Sequence, residues 1–368
     1  MRSRWAAALA VMLLAACGSD KPPPAKLEDY TPKIAGRAVW QARVDGVKFT
    51  LAVVAKNGTF FAAGSGGDVV ALDAETGAER WRASAGAPIA AGVGSDGRFT
   101  SVVTRDNEVV TFDAGKPIWR KRVPSRVVTP PLVAGERVFV MSVDRAVHAF
   151  DALDGRRLWT VQRPGDALTL AQASVVAPYK NSLLVGQGVR LAALEPLKGT
   201  LQWEVPMASP RGTNEVERLA DLIGPPLRLG DTVCVRAFQS ALGCADASKG
   251  TLLWSRNTGG TDAIGGNAES LFGADASDRV TAWKTANGDV IWQNEKLLNR
   301  GLSGALAVGT SVVFGDAQGY LHFLAQSTGE LQLRLATDGS PIVGTPVLSG
   351  TTLLAATRNG GLYAFRPN

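Results

Sequence analysis

Histidine is almost missing from this chain: there are two in 368 residues, His148 and His322. Two isolated imidazoles with no third partner make neither a metal site nor a base for a nucleophile, and they read as packing residues. Cysteine is nearly as scarce, with three residues and no adjacent pair. No Ser/His/Asp arrangement, phosphate-cradling glycine loop or acidic calcium loop of fixed spacing occurs. The expectation is therefore no catalytic residue, no metal and no cofactor. Basic residues number 39 against 33 acidic, and they form no Lys/Arg cluster of the kind a nucleic-acid groove needs. A sustained 3.6-residue period is also absent, which excludes a helical body.

Long apolar runs are scarce too. The run Trp5 to Ala16 spans twelve residues, too few to cross a bilayer as a mature helix. It follows Arg2 and Arg4 and ends in Leu14-Ala15-Ala16-Cys17, so residues 1–16 read as a secretory signal rather than fold. The ending resembles the bacterial lipobox, which implies acylation of Cys17 and cleavage before it. Several acyl chains anchor stably where one does not, since each buried CH₂ contributes about 0.8 kcal/mol. Gly18, where a retained lipoprotein carries Asp, implies the outer membrane, with the body facing the periplasm of a Gram-negative cell. Residues 17–33 are polar and Pro-rich (Lys21-Pro22-Pro23-Pro24) and read as an extended tether that does not pack. Without Arg2 and Arg4, 37 basic residues face 33 acidic ones, a weak net charge of +4.

What the chain has in abundance is repetition. The frame Asp73-x-x-x-Gly77-x-x-x-Trp81 returns as Asp151…Gly155…Trp159, Glu195…Gly199…Trp203, Asp246…Gly250…Trp254 and Lys284…Gly288…Trp292. A tighter copy ends at Trp119, and a degenerate one (Ala325…Gly329…Leu333) puts Leu where Trp is expected. From Trp81 to Leu333 the anchors are spaced 38, 40, 44, 51, 38 and 41 residues apart, the period of a propeller blade. Short apolar or alternating segments between Gly/Asp/Asn turns supply four strands per unit. The eighth copy is split. The chain ends Tyr363-Ala364-Phe365, and its missing Gly and Trp stand at the start as Gly36 and Trp40. Residues 34–368 therefore predict an all-β, eight-bladed propeller of four-stranded antiparallel blades, its last blade completed by an N-terminal strand. Such closure removes free sheet edges. Where the frame is intact, Asp caps a turn, Gly supplies a positive φ, and Trp wedges between blades. Trp40, Trp81, Trp119, Trp159, Trp203, Trp254 and Trp292 are accordingly structural.

The frame resembles the PQQ-type repeat of quinoprotein dehydrogenases and their non-catalytic relatives. Joined to a lipobox and a Pro-rich tether, it is similar to the BamB family, the propeller lipoproteins of the outer-membrane β-barrel assembly machinery. That resemblance implies a non-enzymatic scaffold that binds the POTRA region of the barrel subunit. Nascent outer-membrane proteins are a further implied ligand. The repeat is interrupted twice. Trp203 to Pro225 takes 22 residues, against 12 from Trp119 to Pro131, and the excess holds Asn214-Glu215-Val216-Glu217-Arg218-Leu219-Ala220-Asp221. Glu215, Arg218, Leu219 and Asp221 fit the family's charged segment, although Ile223 stands where a second acid is common. The stretch after Trp159 carries Leu168 and Leu170, as the family's contact loop does, with Ala171 in place of the usual Arg. Leu168, Leu170, Glu215, Glu217, Arg218 and Asp221 are thus the candidate partner-binding residues. Solvated loops, or Leu168 and Leu170 at the start of an inner strand, remain open. The rival readings are a PQQ-dependent dehydrogenase, which needs a calcium site, and a propeller serving an unrelated periplasmic partner.

Cys234 and Cys244 fall on consecutive strands of one unit in an oxidising compartment. A two-residue turn at Gln239-Ser240 sets Cys234 opposite Ala245 and Cys244 on the other face, so a bridge stays open rather than required.

Overall fold

The computed structural model describes residues 22–163, 169–209 and 219–367. They form eight antiparallel blades arranged as a β-propeller. Blades 1 to 7 span residues 54–84, 89–122, 132–161, 176–206, 222–257, 265–294 and 306–336. Blade 8 joins Ile342–Ser349, Thr352–Thr357 and Gly361–Pro367 to the N-terminal strand Gly36–Arg43. That strand pairs with the C-terminal one from Gly36↔Pro367 to Arg43↔Gly361, and Trp40 lies opposite Ala364. The split copy is thus sewn as its sequence implies.

Burial explains the strand types. The second and third strands of a blade are covered on both faces by neighbouring blades, so Thr59–Ala63 is buried throughout and Asp68–Asp73 in all but its ends. The outer strand Glu79–Ser84 has one face in solvent and alternates. Phe60, Phe61, Phe112, Phe150, Phe272 and Phe314 fill the spaces between blades. One departure sits at blade 1. Thr50–Leu51 leaves it and pairs in parallel with Ala91 and Gly92, adding a fifth strand to blade 2.

The repeat frame works across blades. Asp73 Oδ1 accepts from the backbone N–H groups of Glu75 and Thr76 at 3.0 and 2.9 Å, and Glu195 does the same for Leu197 and Lys198. Each tryptophan then lies over the frame glycine of the next blade. A Cβ at Gly77 would stand 2.5 Å from the Trp40 ring, and at Gly155 2.6 Å from Trp119. The indole N–H donates to the carbonyl just past the next blade's turn anchor: Trp119 to Ala152 O (2.8 Å), Trp254 to Thr285 O (2.9 Å), Trp292 to Gln326 O (2.8 Å). Leu333 keeps the contact without the hydrogen bond, its Cδ2 lying 3.0 Å from where a Gly36 Cβ would be.

Two expectations need correction. The tether does not hang free along its length: from Ala25 it packs along the rim of blades 6 and 7. The Ala25 N–H donates to Leu298 O (2.9 Å), the Lys33 N–H to Gln332 O (2.8 Å), and Tyr30 Oη accepts from the Arg334 N–H (2.6 Å). Leu27 joins the apolar cluster of Leu297 and Leu302, and Arg334 lies over the Tyr30 ring at 5.0 Å. The segment carries an apolar residue and an aromatic at positions that meet the rim, which its Pro-rich composition conceals. Residues 1–21, Cys17 among them, lie outside the described residues. The second correction concerns register. The hairpin after Ala237 turns through three residues, so Cys234 faces Cys244 and Val233 faces Ala245. Both cysteines are fully buried and joined by a disulfide.

The two histidines are buried, at 2% and 0% exposure. His148 Nδ1 meets Thr160 Oγ1 at 3.1 Å. His322 does more than pack: its Nε2 lies 2.8 Å from Asp316 Oδ2, which also accepts from Arg300 Nε and Nη2 at 2.8 and 2.6 Å. Arg300 Nη1 donates onward to Ala25 O at 2.9 Å, so this buried ionic cluster holds the tether. Removing one member of such a group leaves a buried charge uncompensated, at a cost of about 3–5 kcal/mol.

Candidate partner-binding face

One end of the propeller carries the connections between blades together with the turns between second and third strands. Both interruptions of the repeat belong to it. The first, between blades 3 and 4, is described from Thr169 on, and the second, between blades 4 and 5, from Leu219 on. Leu168, Glu215, Glu217 and Arg218 lie outside the described residues.

The described parts of the two connections meet. Asp221 Oδ2 accepts from the Leu170 N–H at 2.8 Å, and its Oδ1 pairs with Arg145 Nη2 at 3.3 Å. Arg145 sits in the turn of blade 3 with a positive φ of 64°. Both side chains of the pair are mostly buried, at 11% and 16% exposure. The Asp221 carboxylate is therefore turned inward and fastens one connection to the other, whereas the sequence suggests a carboxylate offered outward. Leu170 is half-buried and lies in no strand.

Further bonds fix the segment. Ser174 Oγ donates to Leu222 O at 2.9 Å, and the Ser174 N–H donates to Thr129 Oγ1 at 3.1 Å. The Gln172 side-chain amide reaches Thr261 O in the connection between blades 5 and 6. This connection thus reaches those between blades 2 and 3, 4 and 5, and 5 and 6, and such a platform is preorganised for binding. Nothing in the sequence flags Gln172 or Ser174, because their partners are 89 and 48 residues away.

Away from this face, the described residues with large exposed apolar side chains sit on outer strands and outer turns. Leu252 and Leu253 of blade 5 and Val290 and Ile291 of blade 6 are 41–53% exposed. Among the described residues no group of three or more His, Cys, Asp or Glu is placed to hold a metal ion. Arg236 is fully buried behind the connection between blades 5 and 6, donates to Gly259 O and lies 5.9 Å over the Trp283 ring. Burial lowers its guanidinium to about 10 and pushes the neighbouring Asp262 carboxyl up.

The family model described as outer membrane protein assembly factor BamB matches residues 29–90 and 65–294. A protein of that name from Burkholderia pseudomallei is 36% identical, over 98% of this chain and 97% of its own length. Another from Bordetella pertussis is also 36% identical, over 95% and 92%. Among solved structures, BamB from Moraxella catarrhalis superposes with a TM-score of 0.81 at 22% identity, covering 90% of this chain and 99% of that one. Quinohemoprotein alcohol dehydrogenase from Comamonas testosteroni shares the fold at a TM-score of 0.68 and 15% identity, over 90% and 76%.

Proposed function

The chain belongs to the outer membrane protein assembly factor BamB family, and we propose that it serves that machinery as a non-enzymatic scaffold lipoprotein. Acyl chains on Cys17 hold it to the outer membrane, with the propeller in the periplasm. Its face of interblade connections docks on the POTRA region of the barrel subunit and so aids insertion of β-barrel proteins. Nascent outer-membrane proteins are further ligands of the same scaffold.

The observation that carries this reading is the Asp221 carboxylate bonded to both Leu170 and Arg145. It ties together the described ends of the two connections in which the blade repeat is broken. A rigid apolar centre with a polar surround is the anatomy of a binding interface. The repeats themselves are occupied in holding blades together, and the frame tryptophans have their indoles against the next blade rather than toward a ligand.

The competing surface is the apolar rim of blades 5 and 6. Pull-down of the barrel subunit separates the two. Leu168→Ala with Arg218→Glu is expected to abolish capture, while Leu253→Asp with Ile291→Asp leaves it intact. The opposite pattern moves the docking site to the rim. For the anchor, Cys17→Ser is expected to shift the protein from the membrane fraction to the soluble periplasm.

A further inference from the structure

On the same face, beside the connection that carries Leu170, a cavity of about 760 Å³ opens between residues of blades 8 and 2 and the connections before blades 1, 3 and 4. Four cations line it: Lys48, Arg105, Arg126 and Arg358. They come from four separate segments, namely the connections before blades 1 and 3 and the turns of blades 2 and 8. The rest of the wall is apolar, Phe49 and Ala171 included, and among the described residues no carboxylate lines it.

The charge here is handled differently from that of the paired arginines on the flanks of blades 1 and 2. There, Arg82 pairs with Asp68 and Glu79, Arg98 with Asp113, and Arg120 with Glu108. Among the described residues none of the four cavity cations forms an ion pair, although all four are exposed. Charges of one sign around a cleft with low-dielectric walls focus the field inward and raise the local concentration of an opposite charge. That arrangement repels itself when empty and is relieved by an anion.

We propose that this cup binds an acidic polypeptide segment with apolar side chains between its carboxylates. Cations set apart around the mouth suit carboxylates spaced along a chain. Phe49 and the aliphatic wall suit what lies between them. A guanidinium also pairs with a carboxylate in a forked geometry that a point charge cannot match. A segment seated here passes directly over Ala171, so the cup adds an acidic requirement to whatever the neighbouring connection docks. The proposal goes beyond the scaffold reading and does not need the barrel subunit for its test, so the two can fail separately.

The experiment is fluorescence anisotropy with a fluorescein-labelled octapeptide of alternating Glu and Phe, titrated with the full chain in detergent. A peptide with Lys in place of Glu is the control ligand. The acidic peptide is expected to bind and the basic one not. Arg105→Glu with Arg126→Glu should weaken binding at least about tenfold, since reversing charges in a complementary pair of surfaces costs several kcal/mol. Raising salt to about 0.5 M should weaken it as well. Arg122→Glu, on the outer strand of blade 2, should change nothing. Three results overturn the proposal: equal binding by the doubly reversed variant, no preference for the acidic peptide, or displacement by inorganic phosphate beyond that by chloride at equal ionic strength. All the substituted side chains are exposed, and matching thermal unfolding curves confirm that the variants are folded.

Discussion

Glycine has two separate jobs in this protein, and single substitutions tell them apart. Gly58 has a φ of +67° with nothing within 4 Å of a hypothetical Cβ, so Gly58→Ala meets only the left-handed backbone penalty, about 1–2 kcal/mol. Gly155 has nearly the same φ, +69°, but its Cβ would enter the Trp119 ring. Gly155→Ala should cost about 1–3 kcal/mol more than Gly58→Ala in urea unfolding, because the ring must be displaced from a packed interblade space. Equal costs would mean that the Trp119 contact does nothing for stability. The frame itself was legible in the sequence, since Asp, Gly and Trp recur at fixed spacing. That the glycine lies beneath the preceding blade's tryptophan was not, because the two are 34 to 47 residues apart and meet only when the ring forms. Histidine gives a second test. Burial, helped by Arg157 and opposed by Asp144, holds the His148 imidazole below its ordinary value of about 6.5. Burial likewise lowers His322 against the pull of Asp316. Below about pH 6.5 the unfolded chain takes up protons that the folded chain refuses, so stability is full above that pH and falls on acidification. Each histidine contributes a slope of at most about 1.4 kcal/mol per pH unit. His148→Gln should therefore flatten the decline in unfolding free energy between pH 7 and 5, and an unchanged slope would contradict the assignment.

At the scale of elements, the tether is where composition misleads. A run of three prolines followed by charged residues reads as a spacer, yet Leu27, Tyr30 and Lys33 each find a place on blades 6 and 7. Such docking depends on a complementary rim that no local signal announces. The docked segment also sets geometry. From Cys17 to Ala25 are eight residues, which span at most about 28 Å. An acylated Cys17 would thus keep the junction of blades 6 and 7 close to the bilayer. Hydrogen exchange tests the docking: the amides of Ala25 and Lys33 should be protected in the wild type and exchange freely in Leu27→Asp with Tyr30→Ala. The blades should keep their protection in both. Fast exchange of residues 25–33 in the wild type would return the segment to the status of a free spacer. The Cys234–Cys244 register has a similar origin. A hairpin read with two turn residues puts the sulfurs on opposite faces, and the third turn residue, Phe238, brings them opposite each other. Turn length within one residue was beyond what the local sequence specifies.

At the scale of the molecule, the ring shape was written in the chain ends, because Gly36 and Trp40 supply what Tyr363–Phe365 lacks. Which face binds was less legible. The two interruptions could be counted along the sequence, but their union through Asp221, Leu170 and Arg145 is a product of the fold. The same fold is found in quinohemoprotein alcohol dehydrogenase, so architecture alone does not separate enzyme from scaffold, and the separation rests on the family match. Docking of the barrel subunit on the face of interblade connections is the central claim. Photo-crosslinking in cells tests it most directly, with a photoreactive residue placed at Leu170, at Arg126 or at Leu253, and the captured protein identified by mass spectrometry. Leu170 and Arg126 are expected to capture the barrel subunit, and Leu253 is expected to capture none. Capture from Leu253 alone, or of an unrelated protein from Leu170, would contradict the claim.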